Sequence, residues 1–163
     1  MKELPYSEGT LFAVPLSPSG LCIGLVARLD GKGALVGYFF GPRVPAAPSI
    51  DDLSGLSAED AIAVSQVGDL HLLGGQWEIL GKLGNWNRDS WPVPAFGRLD
   101  PLLEDVAWRI TYSDLDINKP SGKSRISREE CLALPKDGLF GAIALEKYLT
   151  RLMGKQDDMQ NGG

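Results

Sequence analysis

Leu21-Cys22-Ile23-Gly24-Leu25-Val26-Ala27-Arg28-Leu29, then Asp30-Gly31-Lys32-Gly33, then Ala34-Leu35-Val36-Gly37-Tyr38-Phe39-Phe40, is the stretch that decides the fold. Two apolar runs flank a glycine-rich turn, the pattern of an antiparallel hairpin. Upstream, Thr10 to Leu16 alternates weakly and stops at Pro15 and Pro18, so the first three strands read as a meander. Gly24 and Gly37 lie inside the runs and predict sharp bends or close backbone approach. Such bends let a small sheet curl, with an SH3-like barrel as its closed form.

Working outward, Gly41 to Pro48 carries three prolines and reads as a surface loop. Ser57-Ala58-Glu59-Asp60 has an acid placed to complete a Ser N-cap and predicts a short helical turn. Ala61 to Val67 suits a strand slightly better than a helix. Gln76 to Lys82 reads as a strand with Trp77, Ile79 and Gly81 on one face. Gly84 to Phe96, dense in Trp, Pro, Asn and Gly, reads as a structured loop. Val106 to Tyr112 is the cleanest strand. Alternation puts Val106, Trp108, Ile110 and Tyr112 inward and Ala107, Arg109 and Thr111 in water. Ser127-Arg128-Glu129-Glu130 is a capping box opening a helix through Leu134, ended by Pro135. Leu139, Phe140, Ile143, Leu145, Leu149, Leu152 and Met153 recur at helical spacing. The expectation is an α+β fold: a curled antiparallel sheet with short C-terminal helices. Residues 1–154 form one domain, and residues 155–163 form a disordered polar tail.

The chain has 163 residues and a formal net charge of −5. A chain of this length buries roughly 70% of its unfolded surface, enough for a core without disulfide or metal. The acidic balance argues against nucleic acid and against an anionic membrane, because both demand an excess of Lys and Arg. No run of ~18 apolar residues offers a membrane span. Cys22 and Cys131 are too few and too far apart for a framework or a metal site, and read as buried thiols. No apolar signal run follows Met1, and the expected location is the cytoplasm.

Catalytic chemistry finds little support. His71 is the only histidine and no nucleophile elbow accompanies it, so a structural or surface role is favoured. Asp114-Leu115-Asp116-Ile117-Asn118 opens like a calcium loop, but Lys119 stands where glycine is needed and Arg125 where a bidentate glutamate is needed. It reads as an acidic turn after a strand. Gly31-Lys32-Gly33 lacks the ending of a phosphate loop. Asp51-Asp52, Glu129-Glu130 and Asp157-Asp158 are neighbours in sequence and do not face each other as an acid/base pair. The reading is therefore of no catalytic residue, no metal and no cofactor. Trp77 reads as core. Trp86 and Trp91 sit in a loop, where they serve either as packing or as binding anchors.

The ordered blocks Gly9-Thr10-Leu11-Phe12-Ala13-Val14-Pro15-Leu16, Gly37-Tyr38-Phe39-Phe40-Gly41-Pro42, Gly75-Gln76-Trp77-Glu78-Ile79-Leu80-Gly81, Trp91-Pro92-Val93-Pro94-Ala95-Phe96 and Leu134-Pro135-Lys136-Asp137-Gly138-Leu139-Phe140-Gly141 resemble the immunity protein 26 family of bacterial polymorphic toxin systems. The resemblance runs from about Tyr6 to Leu152. Thr10 departs from the acid that usually follows the first glycine. The resemblance implies a small β-rich protein that neutralises a cognate toxin's C-terminal domain, often a nuclease, by direct binding. It supplies no catalytic residue. The first contact candidates are Trp86, Arg88, Asp89 and Trp91, followed by the acids Asp51, Asp52, Glu59 and Asp60. Two other readings stay open. One is a general interaction or regulatory module. The other is a hydrolase built on scattered carboxylates, with Asp114 and Asp116 as its site.

Overall fold

The hairpin read between Leu21 and Phe40 is the centre of the molecule. A computed structural model describes residues 3–161, with side chains through residue 155. β1 (Thr10–Pro15), β2 (Leu21–Leu29) and β3 (Ala34–Val44) form the expected meander. β4 (Ala61–Gly68) joins β3 antiparallel, and β5 (Glu78–Lys82) joins the outer edge of β1. A two-residue strand, Leu139–Phe140, pairs parallel with β4, so the main sheet has six strands among the described residues. Its edges do not meet. The sheet is open rather than an SH3-like barrel.

β2 is buried on both faces, and its alternation separates two cores. Cys22 and Val26 join Phe12, Val14, Leu35, Phe39 and Trp77 on one face. Ile23, Leu25 and Ala27 join Leu11, Ala13, Tyr38 and Phe40 on the other. The strand glycines serve these cores and do not close a barrel. A Cβ on Gly24 would lie 2.5 Å from Phe12 Cζ and 3.0 Å from Phe39 Cε1. Phe12 meets Phe39 edge-on and stacks on Trp77 with centroids 5.6 Å apart. The close approach expected at Gly24 is thus by aromatic rings.

The second sheet comprises β6 (Phe96–Leu99), β7 (Ala107–Tyr112) and β8 (Pro120–Ile126), all antiparallel. Strict alternation fails on β7. Ala107, expected in water, is fully buried, whereas Trp108 is only half-buried. The reason is α2 (Arg128–Ala133), whose Cys131 packs on Gly97 on the Ala107 side; a Cβ on Gly97 would lie 2.6 Å from Cys131 O. The predicted capping box of α2 is present, with Glu130 N donating to Ser127 Oγ at 3.0 Å. After α2 the chain stitches the sheets together. Lys136 bridges β6 at Gly97, and Leu139–Phe140, now β9, pairs with β4.

Leu139 and Phe140 therefore do not begin the last helix. Gly138 N donates to Gln66 Oε1, which ties this segment to β4 before a helix can start. The two other helices are α1 (Leu70–Leu73), a single turn, and α3 (Ala142–Asn161). The α+β expectation of antiparallel sheet with C-terminal helices holds, and α3 is the longest of the helices at 20 residues. Leu145, Leu149 and Met153, one turn apart each, are fully buried against the Phe12–Trp77 face. Ile143, on the predicted stripe, is exposed. The α3 backbone is described as far as Asn161, and residues 162–163 of the expected polar tail lie outside the described residues.

Candidate functional site

One face of the main sheet is covered by α3. The other is roofed by two irregular segments, and they carry all the candidate contact residues. The first segment holds 3-10 turns at Ile50–Leu53 and Ala58–Asp60. Leu53 is buried beneath it, with Ile50, Leu56 and Ala58 packed beside it. The second is the tryptophan loop, with a 3-10 turn at Arg88–Ser90. Trp91 and Leu83 belong to the same core as Leu53, and Trp86 packs on it. Both segments thus insert apolar side chains into the sheet and leave their polar ones outside.

The two loop tryptophans have different surroundings. Trp91 is 3% exposed and edge-on to Tyr38 and Phe40, with centroids 5.1 and 5.9 Å away. It is core. Tyr38 Oη donates to the carbonyl of the next residue, Pro92, and burial raises the Tyr38 pKa. Trp86 stacks over Trp91 at 6.3 Å and is half-buried. Gly9 accommodates it from below: its φ is +91° and a Cβ there would lie 2.9 Å from Trp86 Cγ.

Asp51, Asp52, Glu59 and Asp60 are all exposed. Ser49 caps the first turn by accepting from Asp52 N, and Asp60 Oδ2 accepts from Ser57 N at 2.9 Å. Residues 49–60 contain these four acids and no base. Among the described residues, Asp51, Asp52, Glu59 and Asp89 form no ion pair, so their charge faces solvent.

Arg88 behaves differently. Its Nε donates to Glu8 Oε1 at 2.9 Å, and its other nitrogens reach Asp114. Asp114 also takes Arg28, with Nη2 2.8 Å from Oδ1. Arg28 is a buried cation inside the apolar run of β2. Its position follows from a register shift: Val26 pairs with Gly37, but Arg28 pairs with Val36. A bulge of this kind re-aims a side chain. Without it Arg28 would point toward α3; with it Arg28 faces the roof and its Nη2 donates to Arg88 O at 3.3 Å. Partial burial pushes the Asp114 carboxyl up, but the Arg28 bond and charge, then Arg88, outweigh this and hold it below the usual carboxylate range. Burial likewise opposes the Arg88 charge, and Glu8 and Asp114 overcome it.

These partners bear on the catalytic alternatives. A general acid needs a raised pKa, and Asp114 is shifted the other way and is occupied by two arginines. Asp116 Oδ1 accepts from Asn118 N, and Asn118 in turn donates to Asp30. No group of three or more potential metal ligands occurs among the described residues. His71 Nδ1 lies 3.3 Å from Glu146 Oε2, which also accepts from Trp77 Nε1 at 3.2 Å, so this histidine braces α1 against α3. No helix among the described residues is long and apolar enough to cross a membrane.

The model of the immunity protein 26 family matches residues 7–105, more than half of the chain. The protein belongs to the immunity protein 26 family. The matched span holds β1 to β6 with both roof segments, and so includes every candidate contact residue. β7, β8, α2, β9 and α3 lie beyond it, as does the Leu134–Gly141 block of the resemblance. No curated protein and no solved structure matches the chain. Sequence reading missed Arg28, Glu8 and the structural use of Asp114. The available signal was a lone arginine inside the apolar run Leu21–Leu29.

Proposed function

We propose that this immunity protein neutralises the C-terminal domain of a cognate bacterial toxin by binding it directly through the roof and occluding it, in the cytoplasm and without catalysis. The observation that carries the reading is the division of labour in the roof. Its apolar side chains are locked into the sheet, while Asp51, Asp52, Glu59, Asp60 and Asp89 stand exposed with no ion partner among the described residues. A preorganised surface binds at lower entropic cost than a loose one. Unpaired acids steer and orient a basic partner, and a toxin nuclease presents such a surface to its nucleic acid. Trp86, half-buried and packed on the same core as both roof segments, is the aromatic anchor of the roof. Trp91 acts from beneath, by holding Trp86 in place. Arg88 is already committed to Glu8 and Asp114, so its part is to fix the loop.

The test is co-expression with the C-terminal domain encoded by the neighbouring upstream gene. The expected outcome is that the domain alone arrests growth and this protein restores it. A folded variant carrying Asp51→Asn, Asp52→Asn, Glu59→Gln and Asp60→Asn should rescue poorly. Full rescue by that variant would remove the acids from the interface. Persistent toxicity beside well-expressed wild-type protein would overturn the pairing.

A further inference from the structure

β8 is an open edge. Among the described residues it pairs only with β7, and Pro120 to Arg125 are all exposed. Alternate residues of such a strand turn unpaired N–H and C=O groups outward, a template for another strand. The strand is also the most basic part of an acidic chain: residues 119–128 hold four bases and no acid, within a net charge of −5. Arg125 lies opposite Trp108 and Lys123 opposite Ile110, so both cations share the Trp108 face. Lys123 Nζ sits 4.3 Å from the Trp108 ring centroid and Arg125 Cζ 5.9 Å from it. The indole thereby restrains two long side chains beside the free edge.

We propose that the outer edge of β8 takes an extended acidic segment of a partner protein as an added strand, with Lys123 and Arg125 selecting its charge. The unpaired backbone groups recognise a peptide backbone, and side-chain charge then supplies selectivity. A second copy of β8 is disfavoured, because antiparallel self-pairing would crowd Lys123 and Arg125 against their own kind. The acidic roof of a second copy offers 3-10 turns, which cannot add as a strand. Nucleic acid has no backbone ladder to match, and Lys123 already stands over the Trp108 ring that a base would need. This edge is separate from the roof, lies outside the family match, and does not depend on toxin neutralisation.

The test uses the full chain and three probes: a peptide of about nine alternating Glu and Val residues, its Lys and Val counterpart, and an oligothymidylate. Binding is read by anisotropy and located by amide shifts. The acidic peptide should shift amides within Gly122–Ile126 and the Trp108 indole. Lys123→Glu/Arg125→Glu should weaken it by about tenfold and favour the basic peptide instead. That exchange of preference would not follow from a merely loosened strand. Lys123→Gln/Arg125→Gln should weaken the acidic peptide without the exchange. Absence of shifts at β8, unchanged binding by the charge-reversed variant, or tighter binding of the oligothymidylate at the same amides would each overturn the proposal.

Discussion

Arg28 and Asp114 join the two sheets: an arginine turned toward the roof by a bulge in β2 meets, at 2.8 Å, the first residue of the acidic turn after β7. The pair is asymmetric. The Arg28 side chain is 3% exposed and that of Asp114 52% exposed. Removing one partner of a buried pair harms most when the charge left behind is the buried one. Asp114→Ala strands Arg28, leaving its guanidinium only the carbonyls of Ala27 and Arg88. Arg28→Met leaves a solvated carboxylate that still pairs with Arg88. Asp114→Ala should therefore cost about 3 kcal/mol and Arg28→Met about 1 kcal/mol. Urea unfolding of both variants decides it, and equal losses would show that the pair's energy does not reside in burying Arg28.

Acid should loosen the same junction. The folded-state pKa of Asp114 lies below its unfolded value. Asp30 is also lowered: burial opposes this, and donation from Asn118, Ala34 and Lys32 outweighs it. A depressed carboxylate contributes stability that is fully present above its unfolded pKa of about 4, and that is lost as pH falls through the folded value. Unfolding free energy should thus be flat near neutrality and fall below about pH 4. Asp114→Asn should flatten part of that acid limb while lowering stability at pH 7. A variant with the wild-type acid slope would show that Asp114 does not carry this linkage.

Gly24 tests why the strand glycines exist. In a packed core, Phe12 is held between Phe39 and Trp77 and Phe39 is fully buried against it, so neither ring yields readily to an added methyl. Gly24→Ala should cost about 2 kcal/mol by overpacking. Gly55→Ala, where a Cβ meets nothing within 4 Å, should change stability by less than about 0.5 kcal/mol. Similar losses at both positions would mean that backbone conformation, and not ring contact, explains Gly24.

The contrast shows what was legible in the sequence. The meander, the α2 capping box and the packing role of Trp77 follow from local patterns of apolar spacing, turn residues and caps. The barrel did not follow, because a glycine within a strand signals either a bend or a close neighbour, and only the tertiary partner distinguishes them. The same limit applies to Leu139 and Phe140. They fit the helical stripe of α3, yet a parallel pairing with β4, far away in sequence, claims them. β8 was not seen at all: Pro120 to Ile126 has no apolar alternation, since neither face of that strand is fully covered. Of the candidate site, the residues were legible but their division was not. Nothing local separates Trp86 from Trp91, or the committed Arg88 from the unpaired Asp89.

That division yields the sharpest functional test. Trp91 fills the core between Tyr38, Phe40 and Leu53, whereas Trp86 lies across it with one side toward solvent. Trp91→Ala should cost about 4 kcal/mol, as expected for deleting a buried aromatic. Trp86→Ala should cost about 1 kcal/mol, since only part of its surface is buried. Toxin binding should report the reverse weighting once folding is held constant. With both proteins folded at low temperature, Trp86→Ala should weaken the toxin complex by about 2 kcal/mol, as for an interface anchor. Trp91→Phe, which keeps an aromatic ring beneath Trp86, should bind nearly as wild type. Calorimetric titration of the toxin domain into each folded variant measures this. Wild-type affinity for Trp86→Ala would leave the acids of residues 49–60 without an aromatic anchor in the interface, and the roof would then have to act by charge alone. Its affinity would in that case fall steeply with salt, as for contacts screened over a Debye length of about 8 Å at physiological ionic strength.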